Sequence, residues 1–468
     1  MDSARRSDHY FSAPFRAKPV STLALGALVV AGGAYALAKL NAMAGVGVGY
    51  MTKVACSEIF LAGRDPQVVI DAEFNDISPV LDRARLEIDA ERKSVSGSVL
   101  GFGRSRAVYR NGYGCTLARG GEPEPLPALE PGADKPLADA RAGTPAMRDD
   151  VDYAAIEAAI DAAFADARAA TRALLVVKDG AVVAERYADG FSAGTPLLSW
   201  SMAKSVTATM LGAAVHEGLL DIAAPAPVGE WANDKARAAI VWNNLLQMQS
   251  GLQFSEVYED PGSDVSKMLF LARDAGAVAA KKKLIREPGT YWDYSSGTTN
   301  LIQRTLRGTL EAKGAAYHAF ARDRIFGPIG AASFVLEPDA SGTFIGSSFV
   351  YATARDWAKL GFLYLNDGMA DGVRILPEGW SRYVATPASA SDGFYGAQFW
   401  LNRPGRNGRE KYIPGVPDDA YLMAGHEGQY VLIIPDKRLV VVRAGMTRGT
   451  EPMPIVAPTF AAIYDAVR

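Results

Sequence analysis

Ser201 and Lys204 stand three positions apart in the run Ser201-Met-Ala-Lys204. On a helix, residues with this spacing share one face, so the two side chains can meet. A serine hydroxyl is a weak nucleophile until an adjacent base accepts its proton. A partly desolvated lysine has a lowered pKa and can be that base near neutral pH. Serine and lysine are common, and a serine that caps a helix produces the same pattern, so the pair needs support from other residues.

Two further segments carry side chains that could take part in proton transfer or binding. Tyr294 follows Trp292 and Asp293, and its phenol could share a proton with a nearby lysine. The alternative is a core aromatic residue whose hydroxyl is bonded to the backbone. His426 opens the run His426-Glu-Gly428, and a histidine is tunable near neutral pH. Its alternative is an ordinary half-buried histidine on a strand.

The composition excludes several other classes of protein. The 468 residues include 49 Lys and Arg against 52 Asp and Glu, a net charge of −3 without a long basic stripe. We therefore expect no nucleic-acid partner. The 4 histidines have none of the spacings typical of metal ligands. No metal site and no organic cofactor are expected.

The N-terminus has the pattern of a membrane-targeting segment. A basic tail over residues 1–18 precedes an uncharged run over residues 19–38. About 20 apolar residues suffice to span a bilayer, and the basic flank should stay in the cytoplasm. We expect residues 19–40 to anchor the protein in the inner membrane, with the catalytic domain in the periplasm or extracytoplasmic space. The alternative is a signal peptide cleaved near Ala42-Met-Ala44, which would make the protein secreted.

Residues 41–119 are predicted to form a small accessory α/β segment. Apolar residues on one side of residues 71–93 predict a helix, and glycines among β-branched residues predict paired strands over residues 94–116. The segment contains Cys56 and Cys115, the two cysteines of the chain. Export would allow them to form a disulfide, and two free buried thiols are the alternative.

A Pro-rich linker over residues 120–150 is predicted to separate this segment from a catalytic domain over residues 151–468. Within that domain we expect one hairpin at residues 174–185 and another at residues 430–443. Helices are expected in the middle, from residues 201–220 onward, and a terminal helix at residues 458–467. Elements in this order are typical of an α+β fold, in which both ends of the domain build one antiparallel sheet flanked by helices and the middle forms a helical lobe.

Taken together, the motifs resemble those of the serine β-lactamase and penicillin-binding superfamily. The resemblance is to its class C and serine-esterase side, which includes the 6-aminohexanoate-dimer hydrolases. Ser201-Met-Ala-Lys204, Tyr294-Ser-Ser296 and His426-Glu-Gly428 follow one another in the family's order, over about two thirds of the chain. Each motif is weak alone, and their order is specific. The resemblance implies a β-lactamase-like α+β fold, preceded here by the N-terminal membrane helix and the small accessory segment.

The resemblance also implies a role for each catalytic residue. Ser201 would be the nucleophile that becomes acylated, and Lys204 would be its general base. Tyr294 would relay the proton to the leaving group. The backbone N–H groups of Ser201 and Gln429 would form the oxyanion hole.

The remaining motif residues are predicted to bind the substrate. Gly428 would leave room for it along a strand edge, and His426 would face the cleft and bind or polarise it. Ser296 stands where many family members have asparagine, and His-Glu stands where many β-lactamases have Lys-Thr. The second change removes a positive charge that would bind a substrate carboxylate. Esters, small amides or linear oligoamides therefore fit better than penicillins.

The sequence thus predicts a serine hydrolase that cleaves a small ester or amide through an acyl-enzyme, similar to the 6-aminohexanoate-oligomer hydrolases. A β-lactamase or a D-amino-acid peptidase is the enzymatic alternative. An alternative of another class is a membrane-anchored sensor or binding protein for β-lactams or peptidoglycan. A Ser-His-Asp hydrolase is disfavoured, because the histidines of the chain do not lie in an evident triad.

Overall fold

The computed structural model describes residues 22–75 and 77–468. Its helices are α1 (Thr22–Phe60), α2 (Pro66–Phe74), α3 (Tyr153–Ala165), α4 (Ala203–His216), α5 (Lys235–Ala238), α6 (Trp242–Leu246), α7 (Asp264–Leu271), α8 (Ala275–Ala280), α9 (Ser296–Ala312), α10 (Tyr317–Ala321), α11 (Ala354–Leu365), α12 (Trp380–Val384) and α13 (Pro452–Asp465).

Its strands are β1 (Ala84–Asp89), β2 (Ser94–Val99), β3 (Phe102–Arg110), β4 (Gly114–Leu117), β5 (Ala138–Asp139), β6 (Thr171–Lys178), β7 (Ala181–Tyr187), β8 (Leu197–Leu198), β9 (Val335–Leu336), β10 (Val350–Ala352), β11 (Met369–Ala370), β12 (Val373–Arg374), β13 (Trp400–Leu401), β14 (Tyr421–Gly425), β15 (Gln429–Ile434) and β16 (Leu439–Gly445).

A seven-stranded sheet of order β13-β14-β15-β16-β6-β7-β5 organises the catalytic domain. The early strand β6 pairs antiparallel with the late strand β16, so both ends of the domain build one sheet, as the sequence predicted. Successive residues of β6 point to opposite faces. Leu174 packs into the apolar layer beneath α3 and α13, and Leu175 packs toward the helical lobe. The sheet is therefore buried on both faces, and α11 packs against the lobe side of its central strands.

The N-terminal module, residues 22–117, consists of α1, α2 and the antiparallel sheet β1-β2-β3-β4. Helix α1 packs across β2, β3 and β4 and also contacts α7 of the catalytic domain. Cys56 on α1 and Cys115 on β4 form a disulfide with their Cα atoms 6.0 Å apart. Of the two pairing states that the sequence left open, the structure contains the disulfide.

The predicted helix over residues 71–93 is wrong. Helix α2 ends at Phe74, and strand β1 occupies Ala84–Asp89. Pro79 cannot continue a helix, because it lacks an N–H group and its ring clashes with the preceding turn. The apolar residues after it, Leu86 and Ile88, alternate with exposed neighbours, which is the period of a strand.

The predicted membrane helix over residues 19–40 is not supported by the structure. Among the residues that the structure describes, no helix is both long enough and apolar enough to cross a bilayer. The predicted cytoplasmic tail, residues 1–18, and residues 19–21 lie outside the described residues. Helix α1 runs without a break through residue 40, where we predicted the boundary between anchor and accessory segment.

Candidate active site

Ser201 and Lys204 lie on either side of the junction between a short 3₁₀ helix and helix α4. A short 3₁₀ helix, Trp200–Met202, leads directly into α4, and Lys204 is in the first turn of α4. The Nζ atom of Lys204 is 2.9 Å from the Oγ atom of Ser201. Both residues are buried, Lys204 almost completely. The structure therefore brings the two side chains into direct contact, on the face that their spacing predicted.

Lys204 has three hydrogen-bond partners. Besides Ser201, its Nζ atom donates to Ser296 Oγ at 2.9 Å and to the carbonyl oxygen of Ser347 at 3.1 Å. A neutral amine keeps two N–H donors and one lone pair. In the neutral state Lys204 can bind Ser296 and Ser347 while its lone pair points at the Ser201 hydroxyl. This arrangement suits a general base for Ser201.

Burial lowers the pKa of Lys204 to about 8, and the negative charge of Glu256 opposes that change. A buried ammonium loses its hydration, so the neutral amine is favoured. A pKa of about 8 means that a useful fraction of Lys204 is neutral near physiological pH.

Tyr294 lies beside Lys204. The Nζ atom of Lys204 is 4.7 Å from the centroid of the Tyr294 ring. Burial raises the pKa of Tyr294 well above its ordinary value, and the nearby hydroxyl of Ser201 lowers it by less. The phenol is therefore protonated at neutral pH and has a proton to donate.

Ser296 and Glu256 extend the contacts of Lys204. Ser296 begins α9, and its backbone N–H donates to Glu256 Oε2 at 2.8 Å, while its hydroxyl donates to Glu256 Oε1. Ser296 therefore bridges the lysine and the carboxylate. It was predicted as a substrate-binding residue, and its observed contacts are to Lys204 and Glu256. Sequence reasoning did not single out Glu256, which lies between α6 and α7 in a segment without helix or strand.

Tyr258 is a second residue that sequence reasoning missed. Its ring stacks on His426 with centroids 4.9 Å apart, and it meets Trp200 edge to face. Its hydroxyl is buried near the hydroxyls of Ser201 and Ser296, and it has no hydrogen-bond partner in the described part of the chain. Burial raises the pKa of Tyr258, so this phenol is also protonated. A buried hydroxyl without a partner is available to a polar atom of a bound substrate.

His426, Glu427 and Gly428 form the turn between β14 and β15, and the expectation that they lie on a strand is wrong. His426 is exposed at this turn. Gly428 has φ of +86°, and a Cβ atom there would collide with the guanidinium of Arg443. The glycine is thus required by its backbone conformation and by Arg443, a different reason from the room for substrate that we predicted.

Gln429 begins β15, and its side chain binds the carbonyl oxygens of His426 and Gly445. Gly425, at the end of β14, lies next to the nucleophile's backbone: a Cβ atom on Gly425 would be 3.2 Å from the Ser201 nitrogen. Since Gly425 and Gln429 are paired across the turn, both ends of this turn face the segment that carries Ser201.

The family model of Beta-lactamase matches residues 156–466. The chain belongs to the Beta-lactamase family. The family name does not by itself state a substrate for this chain. Its catalytic domain is the matched region, and the N-terminal module lies outside it.

Three known proteins are similar to this chain. A 6-aminohexanoate-dimer hydrolase from Paenarthrobacter ureafaciens is 27% identical in an alignment of 258 residues that covers 49% of this chain and 63% of that protein's length. A family VIII carboxylesterase is 16% identical with a TM-score of 0.51, covering 67% of this chain and 97% of its own. A penicillin-binding protein homologue from Caulobacter crescentus is 18% identical with a TM-score of 0.52, covering 67% and 97%. These two structures show the shared β-lactamase-like α+β fold.

The pKa of Lys204 makes a prediction about pH. We expect kcat/KM to rise with pH and level off above a midpoint near 8, because only neutral Lys204 accepts the Ser201 proton. Glu256 raises the pKa of Lys204, so Glu256→Gln should move that midpoint to lower pH. Steady-state kinetics on a neutral ester between pH 5.5 and 10 measure both midpoints.

The matched control is Glu259→Gln, an exposed carboxylate of the same segment. Its profile should coincide with that of the unmodified protein. A midpoint in Glu256→Gln that is unchanged or higher would contradict the pairing of Glu256 with Lys204.

Proposed function

We propose that this serine hydrolase cleaves esters or small linear amides through a covalent acyl-enzyme on Ser201. The observation that carries the proposal is the contact between the buried Lys204 Nζ and Ser201 Oγ at 2.9 Å, with the pKa of Lys204 lowered to about 8. A neutral amine beside a serine hydroxyl activates it for attack on a carbonyl carbon. The similarity to a 6-aminohexanoate-dimer hydrolase supports an amide or ester substrate.

In acylation, Ser201 Oγ bonds to the substrate carbonyl carbon as its proton passes to Lys204. The bond from that carbon to the leaving oxygen or nitrogen then breaks. The protonated phenol of Tyr294 gives its proton to the leaving group and takes one back from Lys204. The leaving alcohol or amine departs, and the protein holds an ester on Ser201.

In deacylation, a water molecule takes the place of the departed group. Its proton passes through Tyr294 to Lys204 as its oxygen attacks the ester carbon. The bond to Ser201 Oγ breaks, and Lys204 returns a proton to that oxygen. The carboxylic acid is released, and Ser201 and Lys204 regain their starting states.

The tetrahedral intermediate places negative charge on the former carbonyl oxygen, which needs preorganised donors. We propose the backbone N–H of Ser201 as one donor. The second should come from the end of β14 and the turn that follows it, between Gly425 and Gln429. The proximity of Gly425 to the Ser201 nitrogen supports placing the second donor at this turn.

The surroundings of the site favour a neutral substrate. The Arg448 guanidinium at the turn is already bonded to Glu427. Ser296 is occupied by Lys204 and Glu256. Beside Tyr294, an aromatic wall can receive an apolar acyl or leaving group, and it is formed by Trp292, Tyr395 and Trp400.

A substrate panel tests this choice. We expect p-nitrophenyl esters and aminohexanoate oligomers to be hydrolysed, and nitrocefin to be cleaved more slowly than the best ester. Ser201→Ala measured beside the unmodified protein corrects each rate for background hydrolysis. Equal rates on nitrocefin and the best ester would favour the β-lactamase alternative and contradict the proposed preference.

Membrane attachment stays a prediction from the sequence of residues 1–40. Residues 31–43 of α1 are all exposed, which leaves that stretch without cover from the catalytic domain. We propose that the protein is held at the outer face of the inner membrane, and cell fractionation tests this. A mature protein that lacks the residues before Gly45 would instead establish a cleaved signal peptide.

A further inference from the structure

The N-terminal module lies outside the region matched by the family, yet it packs directly against Trp200, the residue before the nucleophile. Trp200, which precedes Ser201, is buried in one apolar cluster with module residues that include Val46, Met51 and Val54. A part of the chain that precedes the catalytic domain therefore forms the wall behind Ser201.

Tyr50 on α1 is part of this wall. Its ring stacks on that of Trp200 with centroids 6.3 Å apart and an angle of 16° between the planes. Trp200 has φ of +44°, a left-handed conformation that a bulky residue keeps only where its surroundings hold it. Phe349 and Tyr258 contact the same indole ring from other sides. The Tyr50 ring thus helps to hold the peptide that carries the Ser201 amide.

The hydroxyl of Tyr50 reaches the second backbone segment at the site. Arg448 donates from Nη2 to Tyr50 Oη at 3.1 Å and from Nε to Glu427, which is in the β14–β15 turn. Its Nη1 atom donates to the carbonyl oxygen of Glu73 in the module at 3.0 Å. Glu427 has φ of +59°, so this turn also needs support to keep its shape.

The position of Tyr50 is itself held by the next turns of α1. Lys53 and Ser57 lie on the same helix face as Tyr50, and both bind the fully buried carboxylate of Glu337. Glu337 also accepts the backbone N–H of Cys115 at 2.6 Å, and Cys115 is joined to α1 by the disulfide with Cys56. Helix α1 is therefore fixed to the catalytic domain just beyond Tyr50.

We propose that Tyr50 is a positioning residue of the acyl-transfer site, which rests on the proposed function. Its ring holds Trp200, and its hydroxyl holds the Glu427 turn through Arg448. These two segments carry the backbone N–H groups that face the substrate carbonyl oxygen. The N-terminal module therefore contributes to the geometry of the active site and does more than act as a spacer.

Kinetics of Tyr50→Leu and Tyr50→Phe in the full chain test the proposal. Tyr50→Leu removes the ring and the hydroxyl, and we expect kcat on a p-nitrophenyl ester to fall about tenfold or more with KM little changed, because small displacements of catalytic groups are costly. Tyr50→Phe keeps the stacking ring and should recover most of that loss. The midpoint of the rise of kcat/KM with pH should stay near 8 in both variants, since Lys204 is unchanged.

The matched control is Phe60→Leu, which changes an aromatic residue of α1 that packs on Tyr109 within the module. Thermal unfolding is measured for every variant, and if Tyr50→Leu does not fold, Tyr50→Met replaces it. Wild-type kcat in a folded variant that lacks the ring, or an equal loss in Phe60→Leu, overturns the proposal. An unmodified protein that forms no adduct at Ser201 overturns the proposed function as well, which separates the two failures.

Discussion

Ser201→Ala is expected to lower kcat for ester hydrolysis by about 10⁴-fold or more, the range seen when a hydrolase loses its nucleophilic serine. Alanine cannot form the acyl-enzyme, so neither the bond to the substrate nor its later hydrolysis occurs. The fold should persist, because only one hydroxyl is removed, although Lys204 loses one of its three partners. Intact-mass spectrometry after treatment with a fluorophosphonate should show one adduct in the unmodified protein and none in Ser201→Ala.

Ser205→Ala is the control for this experiment. Ser205 is also buried on α4, one turn from Ser201, but its hydroxyl donates to the carbonyl oxygen of Gln398. This variant should still form the adduct. An adduct that survives in Ser201→Ala, or an active unmodified protein that forms none, would overturn the assignment of Ser201 as the nucleophile.

Lys204→Met should lower both kcat and the rate of fluorophosphonate labelling by about 10²- to 10⁴-fold, the usual contribution of a general base. Methionine fills a similar volume and has no proton acceptor for the Ser201 hydroxyl. Burial lowers the pKa of Lys204, which means that the fold disfavours its charged form. An apolar side chain at this position should therefore reduce activity far more than stability, and thermal unfolding measures the second quantity.

Lys359→Met provides a matched comparison. Lys359 is a second buried lysine of the catalytic domain, and it pairs with Asp134 and Asp356 away from Ser201. Its replacement leaves two carboxylates without their cation, so it should cost stability and leave the labelling rate of the folded protein unchanged. Normal labelling of Ser201 in Lys204→Met would show that another group accepts the serine proton.

Much of the fold could be predicted because local patterns of apolar residues indicate its helices and strands. The alternation of apolar residues in β6 and β16 identifies buried strands, and their positions near both ends of the domain predict a shared sheet. The incorrect prediction of a helix over residues 71–93 has a local cause as well. The apolar residues of this segment match a helical period, but Pro79 divides the segment. The part after Pro79 pairs with β2, and this pairing decides its conformation.

The substrate-binding predictions were less complete, because those side chains act through partners that are distant in sequence. Ser296 binds Lys204 and Glu256, which precede it by 92 and 40 residues. Glu256 and Tyr258 lie in a segment without regular structure, where no spacing marks them. Gly428 was placed on a strand, and the turn around it became visible only when β14 and β15 were paired.

The sequence by itself predicted the contact between Ser201 and Lys204, because two side chains three positions apart on a helix share one face. The order of the three motifs in the sequence also indicated the protein family. The chemistry of that pair depends on tertiary structure. Burial lowers the pKa of Lys204, the negative charge of Glu256 opposes that lowering, and Tyr50, 150 residues before Trp200, stacks on the Trp200 ring. Desolvation and long-range contacts arise only when distant segments pack together, so no local pattern could have predicted them.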